Sequence, residues 1–504
     1  MSAAGRRFYV ETEPRDVDVA IIGAGFAGIG MGIQLALRGR ESFVILERAQ
    51  DVGGTWRDNH YPGVACDVPS HLYSFSFQPK ANWSQVFASG AEIQTYLREC
   101  VREQRLHSRI RFGAEVHQAR WDAVHRNWRI TTAVGEYRAR TLIVAAGRLS
   151  EPRILELDGL DEFPGPVFHS SRWDDDVTFA QRQVGVVGTG ASAAQIVPRL
   201  AGTAAQLVVF QRSASYIVPR GDRTYTEDER RLFEHDPDAA RYLRNQFFGE
   251  AEQNIAQRKG VRPDIDLLRE RALNHLANQV PDPELRARLT PDYEIGCKRV
   301  LLSDEFYPAL TRDDVTLESS AIKHVEGNIA VAASGAHYPL DVIILATGFL
   351  STRPPFAQRI FGRDGALLAA RWADGMVAYA SIAVHGFPNM FVLDGPNASL
   401  GHNSAIHMIE TQINYVLGAL DYLRSSPRAL LEVTEAAEQA YTRDIDAMSH
   451  STVWIQGGCR SWYVDESSGR LTLLWPDTAQ SFRERNGVFD PLPYRLDPTT
   501  ALSI

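Results

Sequence analysis

Apolar positions along the chain follow two periods. Residues 17–22 form an apolar-rich run of strand length, a glycine turn follows, helical spacing continues to about residue 40, and a second strand lies near 42–46. Strand, turn, helix and strand make a βαβ unit. The same order returns with a strand over 184–187, a helix from about residue 191 and a strand over 206–210. Between the two units, residues 48–78 carry Gly, Pro, Asp and aromatic residues without clear periodicity and read as a long structured loop. Residues 91–103 have helical spacing, strands with turns run to 142–146, and a linker containing Pro152 follows. Residues 226–278 are rich in Arg, Glu, Ala and Leu at helical spacing and read as a helical insertion. Strands return after Pro291 and end at 341–345. Then come loops, a helix over about 405–422 and a tail dense in Trp, Tyr and Pro. Roughly the first 15 residues read as a loose polar arm.

Each βαβ unit carries a glycine-rich turn. In the first, Gly23-Ala24-Gly25-Phe26-Ala27-Gly28 sits between strand and helix, and Glu47 stands nineteen residues after Gly28 at the end of the next strand. The glycines permit a tight turn and close approach of a pyrophosphate to the helix N-terminus, and the acid suits ribose hydroxyls. In the second, Gly188-Thr189-Gly190-Ala191-Ser192-Ala193 repeats the pattern, and Arg212 stands nineteen residues after Ala193. Arginine in place of the acid is the change expected for a 2′-phosphate, hence NADPH; the alternative is a solvated surface arginine. The nearness of the first turn to the N-terminus suggests FAD. Gly53-Gly54-Thr55-Trp56 and Ala346-Thr347-Gly348 are placed as small-residue segments that pass near a flavin. Two such sites in one chain imply hydride transfer from nicotinamide to flavin.

The fold class expected is α/β, with two Rossmann-like dinucleotide-binding domains and a helical insertion in the second. The chain has 504 residues, too many for one ordinary core. The expected division is a first part of an FAD domain over 1–150 and a first part of an NADP domain over 151–225. The insertion spans 226–290, the NADP domain resumes over 291–340, and 341–504 completes the FAD domain and carries a C-terminal loop and tail.

Composition mainly excludes. With 62 acidic against 53 basic residues, the formal charge of −9 points away from nucleic acid or an anionic membrane as partner. The four cysteines, Cys66, Cys100, Cys297 and Cys459, form no CxxC or zinc spacing. They fit a reducing cytosol better than a disulfide scaffold and argue against a flavin disulfide reductase. The apolar stretch 20–37 is broken by five glycines and Gln34, so neither a membrane span nor a signal peptide is expected, and a cytoplasmic enzyme is the default. His402 and His407 are spaced i, i+5, off one helix face and without clustered carboxylates or cysteines, so no metal is expected.

Between the two units stands Phe163-Pro164-Gly165-Pro166-Val167-Phe168-His169-Ser170-Ser171-Arg172-Trp173-Asp174. This matches FxGxxxHxxxW followed by Pro or Asp, and the chain resembles the type I Baeyer–Villiger monooxygenases of the class B flavoprotein monooxygenase family. The resemblance covers most of the chain. Tyr61-Pro62-Gly63 and the run Asp67 to Phe77, with Tyr73 in it, resemble the segment beside the flavin. Lys298-Arg299 resembles the family's Lys-Arg step, which implies a catalytic Arg299 and a Lys298 that helps hold the NADPH phosphate. Ser461-Trp462-Tyr463 resembles the mobile loop whose tryptophan closes over NADP and substrate. Departures are Arg148, where relatives often carry a small residue or Gln, Val300 in place of Pro, and a Gly395–His402 loop unlike that of the best-known cyclohexanone enzymes.

The resemblance implies an FAD- and NADPH-dependent enzyme that uses O2, through a peroxyflavin, to insert oxygen next to a ketone carbonyl and give an ester or lactone. The alternative is an N- or S-oxygenating flavin-containing monooxygenase, which shares the frame but usually has Phe or Tyr in place of Trp173. A fixed arginine suits the stabilisation of developing oxyanion charge. Its implied partner is Asp67, which otherwise reads as a turn residue before Pro69. His169 reads equally as a control point linking the domains or as a linker histidine bonded to backbone. Trp173 reads as a packing anchor.

Overall fold

The computed structural model describes residues 13–495. The polar arm expected at the N-terminus lies mostly outside the described residues. Two sheets, one mixed with a parallel core and one wholly parallel, organise the chain. In the first, Gly135–Val144, Arg15–Ile22, Phe43–Leu46 and Ile110–Arg111 run side by side in parallel, with Val19 to Ile22 in register with both Phe43 to Leu46 and Thr141 to Val144. Met390–Val392 joins the upper half of Gly135–Val144 in parallel, and an antiparallel meander, Val116–Asp122 with Asn127–Thr132, leads into its lower half. The second sheet is parallel throughout, in the order Val315–Glu318, Gln206–Phe210, Gln183–Val187, Val342–Leu345, Val167–His169. Its strands are short and apolar because both faces are covered, and Val184, Val186 and Val342 to Ile344 are all fully buried.

The two units repeat one local solution. Each first strand ends in a glycine with positive φ, +103° at Gly23 and +116° at Gly188. A Cβ at Gly23 would fall 2.5 Å from the Ala145 carbonyl oxygen, and one at Gly188 would fall 2.6 Å from that of Ala346. Only glycine permits both the conformation and the approach of the neighbouring strand end. The helices Phe26–Leu37 and Ala191–Leu200 then start at Gly25 and Gly190.

The insertion consists of the helices Glu227–His235, Pro237–Gln253, Ile255–Arg258, Asp264–Gln279 and Pro283–Leu289. Its first helix begins with a capping box in which Thr226 and Glu229 satisfy each other's backbone N–H groups. Its second begins with Asp236 as cap and Pro237 in the first turn. From the second helix, Arg244 donates to the carbonyls of His71 at 2.8 Å and Ser74 at 2.9 Å, which pins the insertion over the segment 61–77.

Several features differ from the sequence reading. The region after Pro291 contains a short helix, Phe306–Leu310, among its strands. The tail holds a fifteen-residue helix, Glu435–Ser449, capped by Thr434, and a shorter one, Ala479–Asn486. The cysteine spacing fits a reducing cytosol better than a disulfide scaffold; in the structure Cys297 and Cys459 form one disulfide across 162 residues, while Cys66 and Cys100 are free and buried. No spacing rule detects such a pair, because tertiary packing alone brings the two segments together. Among the described residues no helix is long and apolar enough to cross a membrane, and no group of three or more His, Cys, Asp or Glu side chains is arranged to hold a metal ion.

Candidate active site

A cavity of about 1550 Å³ opens between the ends of the two sheets. It exceeds the roughly 300–1,000 Å³ typical of a site for one small ligand. From the first unit it is lined by Gly23, Gly25, Glu47, Thr55, Trp56 and Tyr73, and from the second by Gly188, Gly190, Ser192 and Arg212. Asp67, Lys298, Arg299 and Trp462 join them.

Both glycine turns present open cradles. A Cβ at Gly190 would meet nothing within 4 Å, and one at Gly25 would meet only the Gly54 Cα, at 3.8 Å. Gly28 does not line the cavity; a Cβ there would fall 1.9 Å from the Gly23 carbonyl oxygen, so its absence lets the helix pack against the turn. Glu47 is buried at the end of its strand. Its Oε2 accepts from Ala24 N–H at 2.8 Å, and its Oε1 accepts from Ala49 N–H at 2.9 Å and Arg57 at 3.0 Å. Each carboxylate oxygen has two acceptor positions, so the Oε2 side can still receive a hydroxyl. Phe26, Trp56 and Tyr73 form an edge-to-face aromatic wall, with Trp56 Nε1–H donating to the Tyr73 hydroxyl at 3.3 Å. These cradles, with an acid at one strand end and a cation at the other, fit two dinucleotides.

On the second unit, Lys298 Nζ donates to Ser213 Oγ at 2.6 Å and lies 4.7 Å over the Tyr293 ring. Burial lowers its pKa, and the charge of Arg212 lowers it further. Arg212 is exposed. Two cations converging beside a hydroxyl form a place for an anion, whose arrival would relieve their repulsion.

Deeper in the cavity, Arg299 Nε–H donates to Asp67 Oδ2 at 2.6 Å, with each side chain about 30% exposed. Asp67 holds the guanidinium well above its ordinary pKa, against the opposing effect of burial. Burial alone would raise the Asp67 carboxyl, but Arg299, assisted by Arg220, holds it below the ordinary carboxylate value. Both groups are therefore charged at neutral pH. The backbone around Asp67 is fastened from the second unit. Tyr61 Oη donates to Gln195 Oε1 at 3.0 Å, Gln195 Nε2 donates to the Ala65 carbonyl at 2.9 Å, and Arg220 donates to the Cys66 carbonyl at 3.0 Å. Arg299 is set by the strand that follows it, Leu301–Leu302, paired in parallel with Ile217–Val218.

The fingerprint residues stand outside the cavity lining. Phe163 is buried among the strands of the second unit, and a Cβ at Gly165 would fall 2.1 Å from the Asp341 carbonyl oxygen. Trp173 packs between Tyr61, Phe168 and Phe179 at centroid distances of 6.4, 5.2 and 5.5 Å, so it joins the two units as a packing residue. Asp174 is exposed and accepts from Asp176 N–H. His169 ends the strand Val167–His169, accepts from Ser171 N–H through Nδ1 and packs edge-on to Phe349. Burial pushes its pKa down to about 4.

Sequence reasoning missed several neighbours. Arg148 forms an ion pair with Asp394 in the cavity wall, and both side chains are largely buried. Arg148 stood out only as a departure, and Asp394, 246 residues away, carried no local signal. Tyr463 is buried with its hydroxyl toward Arg299. Arg220, which supports Asp67, likewise lay in an unremarkable stretch.

Comparison with known proteins gives a consistent picture. Residues 20–225 match a family model described as pyridine nucleotide-disulphide oxidoreductase. A Baeyer-Villiger monooxygenase of Streptomyces coelicolor is 41% identical over 484 residues, covering 95% of this chain and 92% of that protein. One of Pseudomonas aeruginosa is 40% identical over 506 residues, covering 99% and 96%. Among solved structures, a steroid monooxygenase bound to NADP superposes with a TM-score of 0.82 at 31% identity, covering 93% of this chain and 96% of that one. A cyclohexanone monooxygenase from Rhodococcus sp. Phi1, bound to NADP+, gives 0.84 at 26% identity, covering 96% and 100%. With identity of this level over 95% or more of its length, the chain belongs to the Baeyer–Villiger monooxygenases.

Proposed function

We infer that this protein is an FAD- and NADPH-dependent Baeyer–Villiger monooxygenase that inserts one atom of O2 next to a ketone carbonyl to give an ester or lactone. The observation that carries the site assignment is the Asp67–Arg299 pair, held in a cavity that both dinucleotide cradles share.

Bound FAD supplies oxygen activation and NADPH supplies the hydride. The protein's own residues do the rest. Arg299 provides a fixed positive charge for oxygen that becomes negative as insertion proceeds, and Asp67 keeps that charge oriented. The Phe26, Trp56 and Tyr73 wall would exclude water from the flavin side of the cavity. Gly25 and Gly190 admit the pyrophosphates to the helix N-termini, and Glu47 receives ribose hydroxyls on the FAD side. Arg212 and Lys298, with Ser192 in the first turn of the helix, hold the phosphates of NADPH. Trp462, which lines the cavity from the C-terminal segment, would cover nicotinamide and substrate. A cytoplasmic location belongs to this reading and is tested by cell fractionation.

The test is incubation of purified protein with a ketone panel, a thioether, NADPH and isotopically heavy O2. The expected product is an ester or lactone carrying one labelled oxygen. A protein that yields only the sulfoxide and no ester from any ketone would refute this assignment.

A further inference from the structure

The Cys297–Cys459 disulfide lies at the site. Cys297 stands two residues before Arg299, and Cys459 stands three before Trp462. The two segments also meet through backbone: Glu294 N–H donates to the Gly457 carbonyl at 2.9 Å, and a Cβ at Gly457 would fall 2.6 Å from Cys297 Cβ. Cys297 is fully buried, whereas Cys459 is half-buried and lines the cavity with Arg460, Ser461 and Trp462. The other two thiols, Cys66 and Cys100, are buried, and burial raises both above the ordinary thiol range, which keeps them protonated and inert.

A chain of 504 residues buries ample core and does not depend on a cross-link to fold. In a reducing compartment such as the cytoplasm inferred above, a disulfide is usually transient and redox-responsive and not a brace. This one joins the stem of the tryptophan loop to the segment bearing the active-site arginine. With the bond present, the start of residues 460–463 is tied covalently to the segment bearing Arg299. With it open, the described direct backbone link between the two segments is the Glu294–Gly457 hydrogen bond.

We propose that Cys297–Cys459 is a redox-active disulfide, opened by small dithiols, whose state sets how firmly the tryptophan loop stays docked beside Arg299. Its consequence for oxygenation rests on the function inferred above; the bond itself does not. A thiolate of the dithiol attacks Cys459 Sγ, the accessible end. The S–S bond breaks and its electron pair leaves on Cys297 Sγ, which takes a proton from water. The second thiol of the reagent attacks the mixed disulfide and releases Cys459 as a thiol and the reagent as a cyclic disulfide. Two electrons pass to the protein, and a small-molecule disulfide reverses the exchange.

The experiment uses aerobically purified holoenzyme. Denatured without reductant and treated with iodoacetamide, it should take label on two cysteines, Cys66 and Cys100, and on all four after dithiothreitol. Native trypsin should cut after Arg460 several-fold faster once the protein is reduced. With an accepted ketone, the ratio of hydrogen peroxide to ester should rise several-fold on reduction. Cys459→Ser should show both raised values without reductant and should not respond to dithiothreitol. Label on four cysteines in unreduced protein overturns the proposal, and so does a wild type whose cleavage and product ratio are unmoved by reduction. If no form oxygenates any ketone, the functional assignment falls, while labelling and cleavage still decide the fate of the disulfide.

Discussion

Asp67 and Arg299 come from segments 232 residues apart and share a 2.6 Å hydrogen bond in the cavity between the two sheets. The arginine supplies charge and the aspartate supplies orientation, so their substitutions should differ. Arg299→Ala should bind FAD normally and lose ketone oxygenation by about 10²–10³-fold, the typical loss for one preorganised stabilising group. Asp67→Ala should lose less, because the cation remains but is free to turn. In both, NADPH consumption should continue with hydrogen peroxide as product. Measuring ester and peroxide together decides it, and wild-type ester formation by Arg299→Ala would make the arginine structural.

Arg212 and Lys298 lie close enough for the charge of Arg212 to lower the pKa of Lys298, and of the two only Arg212 is exposed, just past a strand end. Arg212→Ala should therefore weaken NADPH far more than NADH, since the lost fork faces only the 2′-phosphate. The check is the ratio of the two kcat/KM values. A wild type that uses both cofactors equally would remove the basis of this assignment.

Valine at either open glycine separates folding from cofactor binding. The missing Cβ atoms of Gly25 and Gly190 face almost empty space in the folded chain, so the clash arises with the incoming pyrophosphate. Gly25→Val should be folded and colourless. Gly190→Val should be yellow but unreduced by NADPH. Absorbance spectra before and after anaerobic NADPH addition distinguish the two, and loss of FAD from the second variant alone would reverse the domain assignment.

Burial pushes His169 down to about 4 from its ordinary 6.5. The unfolded chain therefore binds a proton here that the native state refuses. The stabilisation is complete above the unfolded value and is lost as pH falls from about 6.5 toward 4, amounting to ~3 kcal/mol for the full shift. Thermal melts from about pH 7 to about pH 4.5 should show Tm falling with pH, and His169→Gln should flatten that slope. An unchanged slope would mean that His169 is protonated within the fold.

Much of this molecule is written in short stretches of its sequence. The glycine turns, their strands and helices, and the matching offsets of Glu47 and Arg212 follow from backbone sterics and side-chain period, which act over a few residues. The Thr226–Glu229 capping box is equally local. The helix Glu435–Ser449 was locally encoded too, through its Thr434 cap, but the aromatic and proline content of the surrounding tail hid it.

The sequence by itself thus determined the two nucleotide-binding units, and through its fingerprint the family. Only the tertiary structure decided which side chains meet. Arg148 reaches Asp394 across 246 residues, Cys297 joins Cys459 across 162, and Arg220 supports Asp67 from another segment. The physical reason is that such contacts depend on where two sheets and an insertion come to rest against one another. Packing of buried surfaces sets that placement, and no spacing along the chain records it.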